Sequence, residues 1–298
     1  MLAAPGADAY DRQQSIEGDS MPLGVIIGYD GSPAATAAID VGAQLLPQAH
    51  AWVTQLWTPP FASEALRRRL RATARSAGDL VERTEAEGER EAQRIAANGT
   101  TLARAAGLDA EPLVKRSWGG EGLVLAQLAE QVGADVVLVG SRGLGGAQAM
   151  FGSVSDTAVH YASRPTLVVP PALLADEYEA LAAGPVIVGS DGSAGAHAAL
   201  AAAQHVFTGR EIVVVTVGDG HAETAATEGV VVEQIAPSQG SSPKATAEAL
   251  AGTAAHRRAA AVVVGSRGRS AVRQALLGSV AKATLQTAHR PVLVVPGP

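Results

Sequence analysis

The chain has 298 residues, 47% of them apolar and only 3% aromatic, with no cysteine and a formal net charge of -6 at pH 7. That much aliphatic side chain is enough for about two folded cores and excludes disorder as the main state, while the absence of thiols excludes disulfide frameworks, thiolate zinc sites, iron–sulfur clusters and cysteine nucleophiles. The acidic balance gives no general attraction to nucleic acid or to an anionic membrane, so neither is expected as a partner.

Residues 1–20 carry Asp8, Asp11 and Glu17 where an export signal would have a basic start and an apolar core, and read as a flexible tail of a cytoplasmic protein. In the unit that follows, residues 21–171, short Val/Ile/Leu runs bounded by Gly, Pro or Asp read as strands near 24–29, 51–57, 111–115, 135–140 and 166–169. Ala-rich stretches between them read as helices near 33–46, 63–106 with a break, 121–132 and 153–162. Residues 172–183 form a linker in which Leu173, Leu174 and Leu181 alternate with acidic residues, the pattern of a short amphipathic helix. The second unit, 184–298, has strands near 185–189, 211–217, 230–235, 261–265 and 292–295. Strands alternating with helices predict an α/β fold: two Rossmann-like domains in tandem, each with a five-stranded parallel sheet.

The two units are copies of one another. Val25-Ile-Ile-Gly-Tyr-Asp30-Gly-Ser32 recurs as Val186-Ile-Val-Gly-Ser-Asp191-Gly-Ser193, and Arg164-Pro-Thr-Leu-Val-Val-Pro170 as Arg290-Pro-Val-Leu-Val-Val-Pro296. The second copy lacks about 40 residues between its second and third strands, so one face of its sheet is expected to be less covered. The last strand of each copy is flanked by prolines, as edge strands are, and is apolar, which invites pairing with its counterpart.

A glycine turn that leads from a buried strand into a helix offers backbone N–H groups and a helix dipole to a phosphate. Gly265-Ser266-Arg267-Gly268 closes such a strand, and nine residues later come Gly278, Ser279 and Val280. Glycine admits close backbone approach there, and the serine hydroxyl adds a donor. The first copy has Gly140, Gly143, Gly152, Ser153 and Val154, with only eight residues between Gly143 and Gly152, so the second copy is expected to grip a polyphosphate better. A single GxxG is also an ordinary strand-to-helix turn; its repetition favours binding.

The ordered pattern G-x2-G-x9-G-[ST], after an opening strand that ends in Asp-Gly-Ser, resembles the universal stress protein family over residues 22–170 and 184–296. The resemblance implies a Rossmann-like, adenine nucleotide alpha hydrolase-like domain that binds ATP outside the carboxyl ends of its strands, with Mg2+ on the phosphates. It also implies dimerisation through the last strand, hence an intramolecular pseudo-dimer in a tandem chain and a homodimer of chains. By the same resemblance Asp30 and Asp191 contact adenine, Leu56 and Val217 lie beside the base, and Gly140 and Gly265 face the ribose. Gly143 and Gly268, with Gly152, Ser153 and Val154 and their counterparts Gly278, Ser279 and Val280, hold the phosphates. The residue chemistry agrees, since a carboxylate accepts an amino hydrogen and Leu or Val supplies apolar contact. Asp-Gly-Ser before a helix is equally good capping chemistry, and both roles stay open for the aspartates.

Rival readings lack their residues. A nicotinamide-binding turn wants GxGxxG after the first strand, where this chain has Gly28-Tyr29-Asp30-Gly31, and a P-loop wants a lysine that neither glycine loop contains. The seven histidines do not recur at matching positions of the two copies and read as surface residues. Arg67, Arg68, Arg69, Arg71 and Arg75, followed by Glu85, Glu87, Glu89 and Glu91, read as a solvated helix face with intrahelical ion pairs. Trp52 and Trp118 read as packing, and Trp57 as packing or pocket wall. The function expected is an ATP-binding stress sensor or regulator acting through nucleotide occupancy and oligomeric state, with at most slow turnover because no general base is visible. The alternatives are a nucleotide-independent dimerising module and a slow adenine-nucleotide hydrolase or phosphotransferase using Ser153 or Ser279.

Overall fold

The computed structural model describes residues 22–58, 64–141, 153–218, 230–236, 242–268 and 277–297. The first copy runs β1 (Gly24–Gly28), α1 (Pro33–Leu45), β2 (His50–Trp57), α2 (Glu64–Thr73), α3 (Ala77–Ala105), β3 (Asp109–Arg116), α4 (Glu121–Val132), β4 (Val136–Gly140), α5 (Ser153–Tyr161) and β5 (Thr166–Val169). A linker helix, α6 (Ala175–Ala183), leads to β6 (Val186–Ser190), α7 (Ala194–Val206), β7 (Ile212–Val217), β8 (Val230–Ile235), α8 (Pro243–His256), β9 (Ala261–Gly265), α9 (Ser279–Thr287) and β10 (Val292–Val295). The helix starts are written locally. Ser32, Ser76, Ser193 and Ser242 each accept the N–H of the residue three positions on, with Pro33 and Pro243 supplying a fixed φ just inside α1 and α8. A cap of this kind contributes about 1 kcal/mol.

All ten strands lie in one sheet, in the order β3-β2-β1-β4-β5-β10-β9-β6-β7-β8. Each half is parallel, and the halves meet where β10 pairs antiparallel with β5, with Leu293 opposite Leu167. The two proline-flanked apolar strands have paired with each other, so what is an edge in either copy is the middle of the molecule. Two apolar layers result. One holds Ile27, Ile39, Leu138, Leu167, Val188, Val214 and Leu293 under α1, α3 and α7. The other holds Ile26, Leu125, Val139, Val168, Val262 and Val292 under α4, α5, α8 and α9. Each layer draws residues from both copies, so the copies are packed together and not merely strung in line.

The linker helix is seated on the first copy. Leu181 is fully buried, the Tyr178 hydroxyl donates to Asp40 at 2.8 Å, and the half-buried Arg210 donates to the carbonyls of Leu181 (2.6 Å), Gly184 (3.2 Å) and Gln44 (3.2 Å). In the second copy, Val232 shares a face with Val214 of β7 and is 42% exposed. In the first copy α3 packs over β2 and β3 on this face; among the described residues no helix lies between β7 and β8.

Two details differ from expectation. Trp118 is not a packing residue: it is 77% exposed, with the Arg116 guanidinium 4.5 Å from its ring. It follows the end of an edge strand, where no layer remains to cover it. Among the described residues the ion pairs of α3 are Arg83–Asp79, Arg90–Glu87 and Arg94–Glu91, while Glu85 pairs with Arg116 of β3, so their arginines come from α3 and β3 and not from the Arg67–Arg75 run. Trp57 is buried and lies 5.6 Å from Arg116, a packing role.

Candidate functional site

In a parallel sheet, neighbouring strands whose crossovers leave on opposite faces open a crevice at their carboxyl ends. Here that happens between β1, which feeds α1 on one face, and β4, which lies between β1 and β5. A cleft of about 610 Å³, open solvent at its mouth included, lies at that point, lined by Asp30, Gln55, Leu56, Glu121, Gly140 and Val154 among others. Four of the sequence-derived residues, Asp30, Leu56, Gly140 and Val154, thus converge on one space from the ends of β1, β2 and β4 and the first turn of α5. Ser153 opens α5. Gly143 and Gly152 lie outside the described residues.

The aspartate does turn chemistry as well. Asp30 Oδ1 accepts the Ser32 N–H at 2.9 Å across Gly31, whose φ of +79° is left-handed, and Asp191 Oδ1 accepts the Ser193 N–H at 3.0 Å across Gly192 at +72°. One carboxylate oxygen of each shapes the entry to α1 or α7, and Asp30 also lines the cleft. Gly140 is demanded by packing: a Cβ there would stand 2.3 Å from the Ala34 carbonyl oxygen in the first turn of α1. Gly265 repeats this against Gly195, at 2.7 Å.

The second copy gathers its residues similarly. A Cβ on Gly268 would lie 2.8 Å from Asp191 Oδ2, so turn and aspartate are side by side. The Gly278 N–H donates to the Ser266 carbonyl at 2.7 Å, tying the start of α9, with Ser279 and Val280 in its first turn, to the Gly265–Gly268 turn. Val217 ends β7 and packs against the second apolar layer.

Sequence reasoning missed several lining residues, among them Gln55, Glu121 and Ser155. Gln55 carried a readable signal: it is a polar residue inside an apolar strand, and Thr216 stands at the same place of the second copy. Both are buried, and Gln55 Oε1 and Thr216 Oγ1 have no hydrogen-bond partner. Glu121 follows two glycines, Gly119 and Gly120, at φ +114° and +65°, which turn the chain from β3 into α4.

The sequence profile of the universal stress protein family matches residues 24–170 and 243–296. The chain belongs to the universal stress protein family. Universal stress proteins of Mycobacterium tuberculosis and Mycobacterium bovis are each 31% identical to it over 231 residues, covering 69% of this chain and 77% of theirs. Among solved structures, a universal stress protein of Archaeoglobus fulgidus aligns with a TM-score of 0.65 at 18% identity, over 92% of this chain and 98% of its own. A protein of Pseudomonas aeruginosa described as functionally unknown aligns at 0.51 and 13% identity, over 93% of each chain. At such identities the structural likeness speaks for the fold. The second profile match in this universal stress protein begins at α8, after the stretch in which the second copy is shortened.

Proposed function

We propose that this tandem universal stress protein binds an adenine nucleotide in the cleft of its first copy and at the corresponding edge of its second. ATP is the nucleotide that best suits the paired glycine turns, and the protein acts as a sensor or regulator through nucleotide occupancy and oligomeric state. The observation that carries the reading is the convergence of Asp30, Leu56, Gly140 and Val154 on one cleft at the strand-order switch point. An apolar wall at Leu56 suits a base, a carboxylate suits its amino group, and the first turn of α5 suits a phosphate.

Mg2+ fits the donor set. The cleft offers the carboxylates of Asp30 and Glu121 and the hydroxyls of Ser32 and Ser155, and Mg2+ is commonly held by one or two carboxylates with the substrate's phosphates and water. Among the described residues no cluster of three or more His, Asp or Glu forms a metal site of its own. The ion would neutralise phosphate charge. A cytoplasmic location and pairing of whole chains belong to the same proposal, supported by the absence of cysteine and the exposed apolar residues of β8. No helix among the described residues is long and apolar enough to cross a membrane.

The test is mass spectrometry of small molecules released on denaturing freshly purified protein, quantified per chain, followed by calorimetry. Two adenine nucleotides per chain support two working sites, and one per chain says that a copy has been disabled. None, with no binding at millimolar ATP, leaves the dimerising module as the function.

A further inference from the structure

Among its described lining residues the first cleft is acidic, with Asp30 and Glu121 and no lysine or arginine. Beyond the proposed Mg2+, a polyphosphate there finds no fixed cation among those residues, and the sheet brings one from the other copy. β10 runs antiparallel to β5 with Val292 opposite Val168; continuing that register sets Pro291 opposite Val169 and Arg290 opposite Pro170. Val169 is the strand neighbour of Gly140, and its carbonyl accepts the Ser141 N–H at 2.7 Å. Arg290 therefore stands at the carboxyl edge of the first copy's sheet, two strands or about 10 Å from Ser141. Arg290 lies two residues before β10, where the chain bends, and β10 itself carries Val292 and Val294 on the face on which α5 packs. The first turn of α5 opens at that same edge, where Val154 and Ser155 line the cleft.

Burial supplies an independent observation. Arg290 is only 5% exposed, and its Nη1 is buried with no hydrogen-bond partner. No carboxylate among the described residues forms an ion pair with it. A buried guanidinium nitrogen without an acceptor opposes folding, and it is accounted for when an acceptor, water or an anion, comes from outside the chain.

We propose that Arg290, carried by the second copy, contacts the phosphates of a nucleotide held in the first copy's cleft, beside the first turn of α5. The inference rests on the nucleotide reading of that cleft. It makes the first site complete only when β5 and β10 are paired, so that occupancy of one copy stabilises its docking on the other. The register is reciprocal. It places Arg164 opposite Pro296, next to Val295, whose carbonyl accepts the Ser266 N–H of the second copy's glycine turn.

Calorimetric titration of the full chain with ATP and with adenosine tests this on wild type, Arg290→Met and Arg290→Lys, and on Arg290→Met combined with Asp30→Ala. Arg290→Met is expected to weaken ATP at one of two sites about tenfold or more, to leave adenosine affinity unchanged, and to melt without nucleotide no lower than wild type. Arg290→Lys should recover part of the loss, and with Asp30→Ala present the Arg290 substitution should have no further effect. Equal weakening of ATP and adenosine, unchanged ATP binding, a lower melting temperature without nucleotide, or a loss that persists in the Asp30→Ala chain overturns the proposal. A wild-type chain that binds no adenine nucleotide instead removes the reading of the cleft itself, an outcome distinct from all of these.

Discussion

Gly140→Ala should damage the fold and the cleft together. Gly140 ends β4 beneath the first turn of α1, and a methyl group there would lie 2.3 Å from the Ala34 carbonyl oxygen, 2.6 Å from its carbon and 3.2 Å from its Cβ. Ordinary contact begins at 3.4 Å, so β4 and α1 must separate by about 1 Å. Neither is free to do so, because the obstructing atoms are backbone and α1 is pinned by the fully buried Ala38 and nearly buried Ile39. Forcing an extra methyl group into such a contact costs about 1–3 kcal/mol. For a unit of 150–250 residues each kcal/mol moves Tm by about 2–4 °C, so Gly140→Ala is expected to melt several degrees below wild type. Gly252→Ala provides the opposite sign: Gly252 lies inside α8 with nothing within 4 Å of an added Cβ, and relief of the glycine entropy penalty is worth about 0.5–1 kcal/mol. Circular dichroism melts of the three proteins read both effects. A Gly140→Ala chain that melts at or above wild type would refute the close approach of β4 to α1.

Arg210→Ala removes the guanidinium that joins the linker helix, α1 and the start of β6, and is expected to cost about 1–3 kcal/mol by leaving carbonyls without their donor; a lower Tm and faster proteolytic cleavage near α6 would show it. Desolvation lowers the pKa of Arg210 from its ordinary value. Tyr178 behaves oppositely: its hydrogen bond to Asp40, with burial and the Asp40 charge, raises its pKa above the ordinary phenol value. Because the folded value exceeds the unfolded value near 10, the stabilisation is whole below about pH 10 and is lost as pH rises through the raised value. Tyr178→Phe should therefore melt slightly below wild type at pH 8, with the gap closing above about pH 10; an equal gap at pH 8 and pH 11 contradicts the assignment. Gly268→Ala places a methyl group 2.8 Å from Asp191 Oδ2, and on the proposed function it should reduce nucleotide stoichiometry from two per chain to one, with the first copy's affinity unchanged in calorimetry.

Several elements were legible because their chemistry is local. The strands Thr166–Val169, Ala261–Gly265 and Val292–Val295 are aliphatic runs closed by proline or glycine, and α6 forms where an amphipathic helix is expected, although only Leu181 of the three leucines lies within it. β3 begins at Asp109, two residues earlier than hydropathy indicates, since its pairing with His50 is made by strand register and by a 2.8 Å contact between the exposed Asp109 carboxylate and His50 Nδ1, not by apolar burial. Part of the cleft was readable in the same way: Asp-Gly-Ser and the glycine after a buried strand announce their turns. Glu121 and Ser155 were not, because a polar residue in the first turn of a helix looks alike whether it faces water or a ligand.

The sequence by itself determined the duplication and the alternation of strand and helix, with each strand's end placed to within about a residue, because these rest on neighbours along the chain. Only the tertiary structure decided that β5 and β10 meet antiparallel, that α6 folds back on α1, and that Arg290 of one copy stands at the edge of the other. The reason is physical. The N–H and C=O groups along a strand edge are the same at every residue, so an apolar edge declares that it needs a partner without declaring which one, in which direction or in what register. Those choices are settled by the shapes of the two packed halves and by the short helical linker that restricts how they can approach.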